Sequence, residues 1–214
     1  MKRTLMLLAL SSLAVTPAFA QSRSVDLTAW VTWVDPSGHN TFEDFDGTDD
    51  LDVRLDTAQG FGVGLNVFLS NRISAEFAVS LFEPDVELAI SNPALAPLVG
   101  SLEMMPITGT LQFHFNPDGR IDPYIGAGVA YVLFDEIADF DDVDLDAIDF
   151  DDDYGFLVNA GVSFDITPNF AINLDAKYVP VESAARAVVG GVGSDALDIE
   201  INPLILSVGL SFQF

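Results

Sequence analysis

Residues 204–214 read Leu-Ile-Leu-Ser-Val-Gly-Leu-Ser-Phe-Gln-Phe. Side chains alternate across an extended chain. Leu204, Leu206, Val208, Leu210, Phe212 and Phe214 therefore share one face, and Ser207, Gly209, Ser211 and Gln213 share the other. One face is large and apolar; the other is small and polar. A helix would scatter both sets, so this pattern predicts a strand.

The same alternation recurs in seven earlier segments: 25–33, 59–69, 73–81, 107–115, 123–134, 154–164 and 170–178. Each is about ten residues long, the length a tilted strand needs to cross a bilayer. The intervening connections alternate in length. Residues 70–72, 116–120 and 165–169 are short and carry turn formers such as Asn116-Pro117-Asp118-Gly119, whereas 35–56, 82–101, 135–153 and 180–198 are long. Eight strands joined alternately by short turns and long loops fit an outer-membrane barrel, with both termini on the periplasmic side.

Orientation follows from volume. A large apolar face repeated on eight strands overfills the interior of a narrow barrel, whereas Gly, Ala, Ser and Thr fit it. The apolar face is therefore expected to meet lipid. Composition agrees. Half of the residues are hydrophobic, yet the formal net charge is −25. Both hold if apolar residues face lipid and the acids occupy loops beyond it. Past residue 20 no uninterrupted apolar run is long enough for a membrane helix. A closed barrel then remains the way to satisfy every backbone group in lipid. The expected class is all-β, an eight-stranded antiparallel transmembrane β-barrel.

Residues 1–20 are expected to be a cleaved signal peptide. Lys2 and Arg3 precede an apolar stretch from Leu5 to Val15, and Ala18-Phe19-Ala20 is a small-x-small cleavage site. Residues 21–214 then form the barrel. Removing Lys2 and Arg3 takes the net charge from −25 to −27. Such a charge excludes non-specific nucleic-acid binding. The chain has no cysteine, so backbone ladders and packing must hold it together.

The residues that carry a family resemblance are now in view. Pro106 to Phe115 precede Asp122-Pro123-Tyr124-Ile125-Gly126-Ala127-Gly128-Val129-Ala130-Tyr131; Ile166-Thr167-Pro168-Asn169 and Leu174-Asp175-Ala176-Lys177-Tyr178 follow, and the chain closes with Ile201-Asn202-Pro203 and Val208 to Phe214. In these stretches the chain resembles the OmpW family of small outer-membrane proteins. The resemblance implies an eight-stranded barrel with an apolar interior passage that admits small hydrophobic molecules. It also implies that Phe214 is the terminal signal read by the barrel-insertion machinery. The chain departs from that pattern in its acidic loops and in the inward charges Glu76, Asp175 and Lys177.

The candidate lumen or passage residues are Trp30, Glu76, Gln112, His114, Asp175 and Lys177, all on inward faces. Buried charges need partners, so Glu76, Asp175 and Lys177 are expected to pair inside the barrel. His114 is read as a polar plug. No motif pairs it with Ser163 or Ser211, the serines considered as its nucleophile, so no enzymatic activity is expected. Eleven of the nineteen residues in 135–153 are acidic. Within them Asp142, Asp144 and Asp146 begin like a calcium loop but lack its turn glycine and final glutamate, which points to loose divalent-cation binding and to no dedicated cofactor. The acidic rim would meet outer-membrane lipids and lipopolysaccharide through such cations. Glu87 to Val99 carry apolar residues in an outer loop and are read as a short helix or a greasy entry. Two functions remain open: passage of small, mainly hydrophobic solutes, or a structural, surface-interacting barrel with a plugged lumen.

Overall fold

β-Branched and aromatic residues alternating with small ones build a wall with a lipid side and a lumen side. The computed structural model describes residues 25–36, 39–42, 51–90, 98–134, 137–138, 147–150, 152–189, 192–193 and 197–214. The expected signal segment and the aspartates at 142, 144 and 146 lie outside them. Among the described residues every regular element is a strand.

Eight strands close the barrel: β1 (Val25–Pro36), β2 (Ala58–Phe68), β3 (Ile73–Leu81), β4 (Met104–His114), β5 (Ile121–Phe134), β6 (Asp153–Thr167), β7 (Phe170–Tyr178) and β8 (Pro203–Gln213). Each pairs antiparallel with its sequence neighbours, and β1 closes on β8 from Asp26↔Gln213 to Pro36↔Pro203. Closure removes the edge strands that lipid would not tolerate. The expected orientation holds. Phe61 is 66% exposed and Phe156 80% exposed on the outer face, whereas Thr32, Ser74 and Ser211 on the inner face are buried.

Aromatic rims bound the apolar band. Trp33, Tyr131, Tyr154 and Tyr178 sit outward near the outer strand ends. At the opposite end Phe170, Phe212 and Phe214 form edge-on pairs with centroids 5.1 and 4.6 Å apart. Rings of this kind favour the headgroup level.

Two local expectations change. The short connection expected over 165–169 narrows, because β6 runs on to Thr167 through a register shift between Asp165 and Thr167. The long connections are also not plain loops. His39–Phe42, Leu51–Leu55, Asp85–Ile90 and Leu98–Ser101 form one sheet, and Ile137–Ala138, Ala147–Phe150, Val181–Val189, Val192–Gly193 and Leu197–Ile201 form another. The helix read into Glu87 to Val99 is therefore replaced, over its described residues, by paired strands: Asp85↔Ser101 to Leu88↔Leu98. The hairpin carries its pairing on from the barrel wall, which satisfies more backbone groups than a separate short helix does.

One ladder is interrupted. β3 and β4 pair from Ile73↔Phe113 to Val79↔Ile107. The next pairing is an isolated bridge, in which Phe82 and Met104 exchange two 2.9 Å N–H···O bonds. Pro106 lies between, and a proline has no N–H to donate.

Candidate functional site

The lumen has two tiers. At its outer end the inner faces turn apolar. Val34, Phe82, Leu102, Met104, Leu157 and Ile201 are fully buried, and they join Val132, Val179 and Ile205 in one cluster. Below this ring the inner faces are polar, and every lumen residue read from the sequence lies there, buried.

The polar floor is built around Lys177. Its ammonium lies 3.0 Å from Glu76 Oε1 and 2.6 Å from Asp175 Oδ1. In the barrel order β3 and β7 are separated by three strands on either side, so the Lys177–Glu76 pair spans the lumen from wall to wall. Asp175 Oδ2 also accepts 2.9 Å bonds from Tyr124 Oη and Asn159 Nδ2. Thr110 Oγ1 donates to Glu76 at 3.5 Å. Lys177 stands 5.6 Å from the centre of the Trp30 ring. Each charge is thus paired and further satisfied by hydrogen bonds, the condition for keeping it out of water.

Glycine seats the two large rings of this tier. A Cβ at Gly209 would lie 2.4 Å from Trp30 Cε3, and one at Gly161 would lie 2.4 Å from Tyr124 Cζ. Part of the small inner face is therefore the imprint of Trp30 and Tyr124.

A second chain of contacts lies toward the periplasmic end. His114 Nδ1 donates to Asp122 Oδ2 at 2.7 Å. Ser74 Oγ shares a 2.9 Å hydrogen bond with His114 Nε2 and donates to Gln112 Oε1 at 3.4 Å. Asn66 Nδ2 donates to Gln112 Oε1 at 3.3 Å. The serine hydrogen-bonded to His114 is thus Ser74, whereas Ser211 bonds Thr28 and Asn173. Ser74, His114 and Asp122 share the connectivity of an acyl-transfer triad. Acyl transfer also needs room beside the nucleophile for a reacting carbon and for oxyanion donors. Ser74 is 0% exposed, and the cavity beside His114 is about 20 Å³. The three side chains form a buried hydrogen-bonded chain.

Reading the sequence missed Ser74, Asp122 and Tyr124 as partners and missed the apolar ring altogether. The ring was open to detection. Phe82 extends the inward series Ser74, Glu76, Ala78 and Ser80 by one step, and Met104 extends the series of Thr108, Thr110 and Gln112 backward.

A closed barrel with a lipid-facing apolar band, aromatic rims and a filled narrow lumen defines an outer-membrane β-barrel protein. The chain belongs to the OmpW family, whose model matches residues 22–214. It is 28% identical to outer membrane protein AlkL of Ectopseudomonas oleovorans over 169 residues, 77% of this chain and 69% of that relative. It is also 24% identical to the dibenzothiophene metabolism operon protein PahQ of Pseudomonas aeruginosa over 116 residues, 54% of this chain and 53% of PahQ. The solid-state NMR structure of AlkL in DMPC lipid bilayers shares the fold, with a TM-score of 0.65 over 93% of this chain and 94% of that one at 24% identity. The protein is located in the outer membrane.

Proposed function

We propose that this barrel admits small, mainly apolar molecules from outside the cell into the outer membrane. The division of its lumen into two tiers carries the reading. The outer tier offers apolar side chains from all around the barrel, and the floor beneath is crossed by the Lys177–Glu76 pair. An apolar solute gains free energy in the first tier and none in the second. Its favourable route runs sideways, into lipid. The interrupted ladder beside Pro106 lies at the level of Phe82 and Met104, and it supplies the weakest stretch of wall for that exit. PahQ is named for an operon of dibenzothiophene metabolism, and dibenzothiophene is an apolar aromatic of the kind this tier would hold.

The test is the uptake rate of a labelled polycyclic aromatic or alkane by cells with and without the protein. Expression should raise the rate. Phe82→Asp, which places a carboxylate in the apolar ring, should abolish the gain. Cysteines replacing Leu81 and Met105, which flank the Phe82–Met104 bridge, should lower uptake when oxidised and restore it when reduced. The chain has no cysteine of its own to interfere. Equal uptake with and without the protein would favour instead the plugged, surface-interacting barrel that the lumen-spanning ion pair also suits.

A further inference from the structure

The polar floor contains a cavity of about 20 Å³, whose walls include Trp30, Asn66, Glu76, Gln112, His114 and Tyr124. Three of those side chains carry a polar atom with no protein partner: Trp30 Nε1, Gln112 Nε2 and Asn66 Oδ1. They are 5%, 2% and 8% exposed, respectively. Buried polar atoms are rarely left unsatisfied, because each loses its bonds to solvent on burial. Here two donors and one acceptor belong to residues that line one small space.

That space decides the ligand. About 10–15 Å³ of such volume holds one water molecule. An apolar occupant would leave all three atoms unpaired. A bare cation would meet the two N–H donors, and an anion would meet the carboxylates of Asp26 and Glu76, which share the wall. Water alone accepts two bonds and donates two.

We propose that the cavity binds a single, long-lived water that accepts from Trp30 Nε1 and Gln112 Nε2 and donates to Asn66 Oδ1 and Glu76. It joins the two halves of the floor. Glu76 belongs to the Lys177 pair, and Gln112 belongs to the Ser74–His114–Asp122 chain. The apolar ring lies on its outer side. On the other side the His114 ring packs between Phe68 and Tyr124, with centroids 4.8 and 5.4 Å away.

The experiment uses the wild-type barrel, labelled with ¹⁵N, in lipid nanodiscs. The chain has two tryptophans, so two indole N–H signals report. Trp33 faces outward at 40% exposure and serves as the reference. Trp30 should show strong cross-relaxation with water, while its indole proton exchanges with bulk solvent at least a hundredfold more slowly than that of Trp33. Gln112→Leu, which removes one donor and fills the space, should reduce the water signal at Trp30 at least tenfold. Absence of cross-relaxation at Trp30 in the wild type would overturn the site, because the cavity would then be dry. Exchange at Trp30 as fast as at Trp33 would overturn it as well, because the lumen would then be open to bulk water. Retention of the full signal in a folded Gln112→Leu barrel would overturn the assigned partners.

Discussion

Lys177→Met isolates the contact that closes the lumen. The substitution keeps the length and apolar stem of the side chain and removes only the ammonium. It deletes the 3.0 Å contact to Glu76 and the 2.6 Å contact to Asp175, and it leaves both carboxylates buried on opposite walls. Removing one partner of a buried pair costs about 3–5 kcal/mol, because the remaining charge has lost its compensation. That corresponds to roughly 10²- to 10⁴-fold in the folding equilibrium. The assay is reversible urea unfolding in lipid vesicles, followed by circular dichroism. The triple variant Lys177→Met, Glu76→Gln, Asp175→Asn removes the orphaned charges and keeps acceptors for Tyr124 and Thr110. It should recover to within about 1 kcal/mol of wild type, since neutral replacement of a whole buried ion cluster is often close to neutral in stability. A single variant that loses less than about 1 kcal/mol would refute the reasoning, as would a triple variant no more stable than the single.

Three further substitutions test other parts of the wall and floor. Gly209→Ala puts a methyl 2.4 Å from Trp30 Cε3 and should destabilise by about 1–3 kcal/mol on the same urea assay, with a shift of Trp30 fluorescence. Phe77→Arg, on the lipid face midway along β3, should cost about 2–4 kcal/mol, whereas Tyr178→Arg at the outer rim should cost about 0–1 kcal/mol. Ser74→Ala removes the hydroxyl that bonds His114 and Gln112 and should cost about 0.5–1.5 kcal/mol while leaving solute uptake unchanged. A loss of uptake in that variant would mean that Ser74 has a role beyond packing.

The wall was legible because its rule is local. Period-two alternation needs no knowledge of the partner strand, and one turn of reading at Leu204 to Phe214 orients all eight segments. The same rule placed Trp30, Glu76, Gln112, His114, Asp175 and Lys177 inside, where they lie. What a strand faces across a lumen is not local. Glu76 meets Lys177 from 101 positions away along the chain, and only barrel closure and shear bring them to 3.0 Å. Ser74 reaches His114 from the neighbouring strand, where its register partner Gln112 stands two residues from the histidine, and no spacing supported a pairing with Ser163 or Ser211. The outer hairpins were misread because acidic and apolar residues mix there without the alternation that lipid imposes on the wall. The apolar ring went unread because the strands were cut where lipid contact ends, although their inward series runs one or two steps further.

The two tiers also predict which solutes the floor refuses. Transfer from water contributes about 0.8 kcal/mol per CH₂, so an eight-carbon chain gains about 6 kcal/mol on entering the apolar ring. The membrane interior supplies the same gain, and lateral exit is therefore nearly level. Descent through the floor forfeits that gain and must also separate Lys177 from Glu76, at about 3–5 kcal/mol. The sum, about 9–11 kcal/mol, slows descent by roughly seven orders of magnitude relative to a level path. Opening the floor should consequently not help an apolar solute. Lys177→Met should leave alkane uptake within about twofold of wild type, while small monovalent cations, drawn by the carboxylates of Asp26, Glu76, Asp122 and Asp175, gain a measurable conductance in planar bilayers. If the same variant raised alkane uptake tenfold or more without any ionic conductance, apolar solutes would be crossing through the floor, and the sideways route would be wrong.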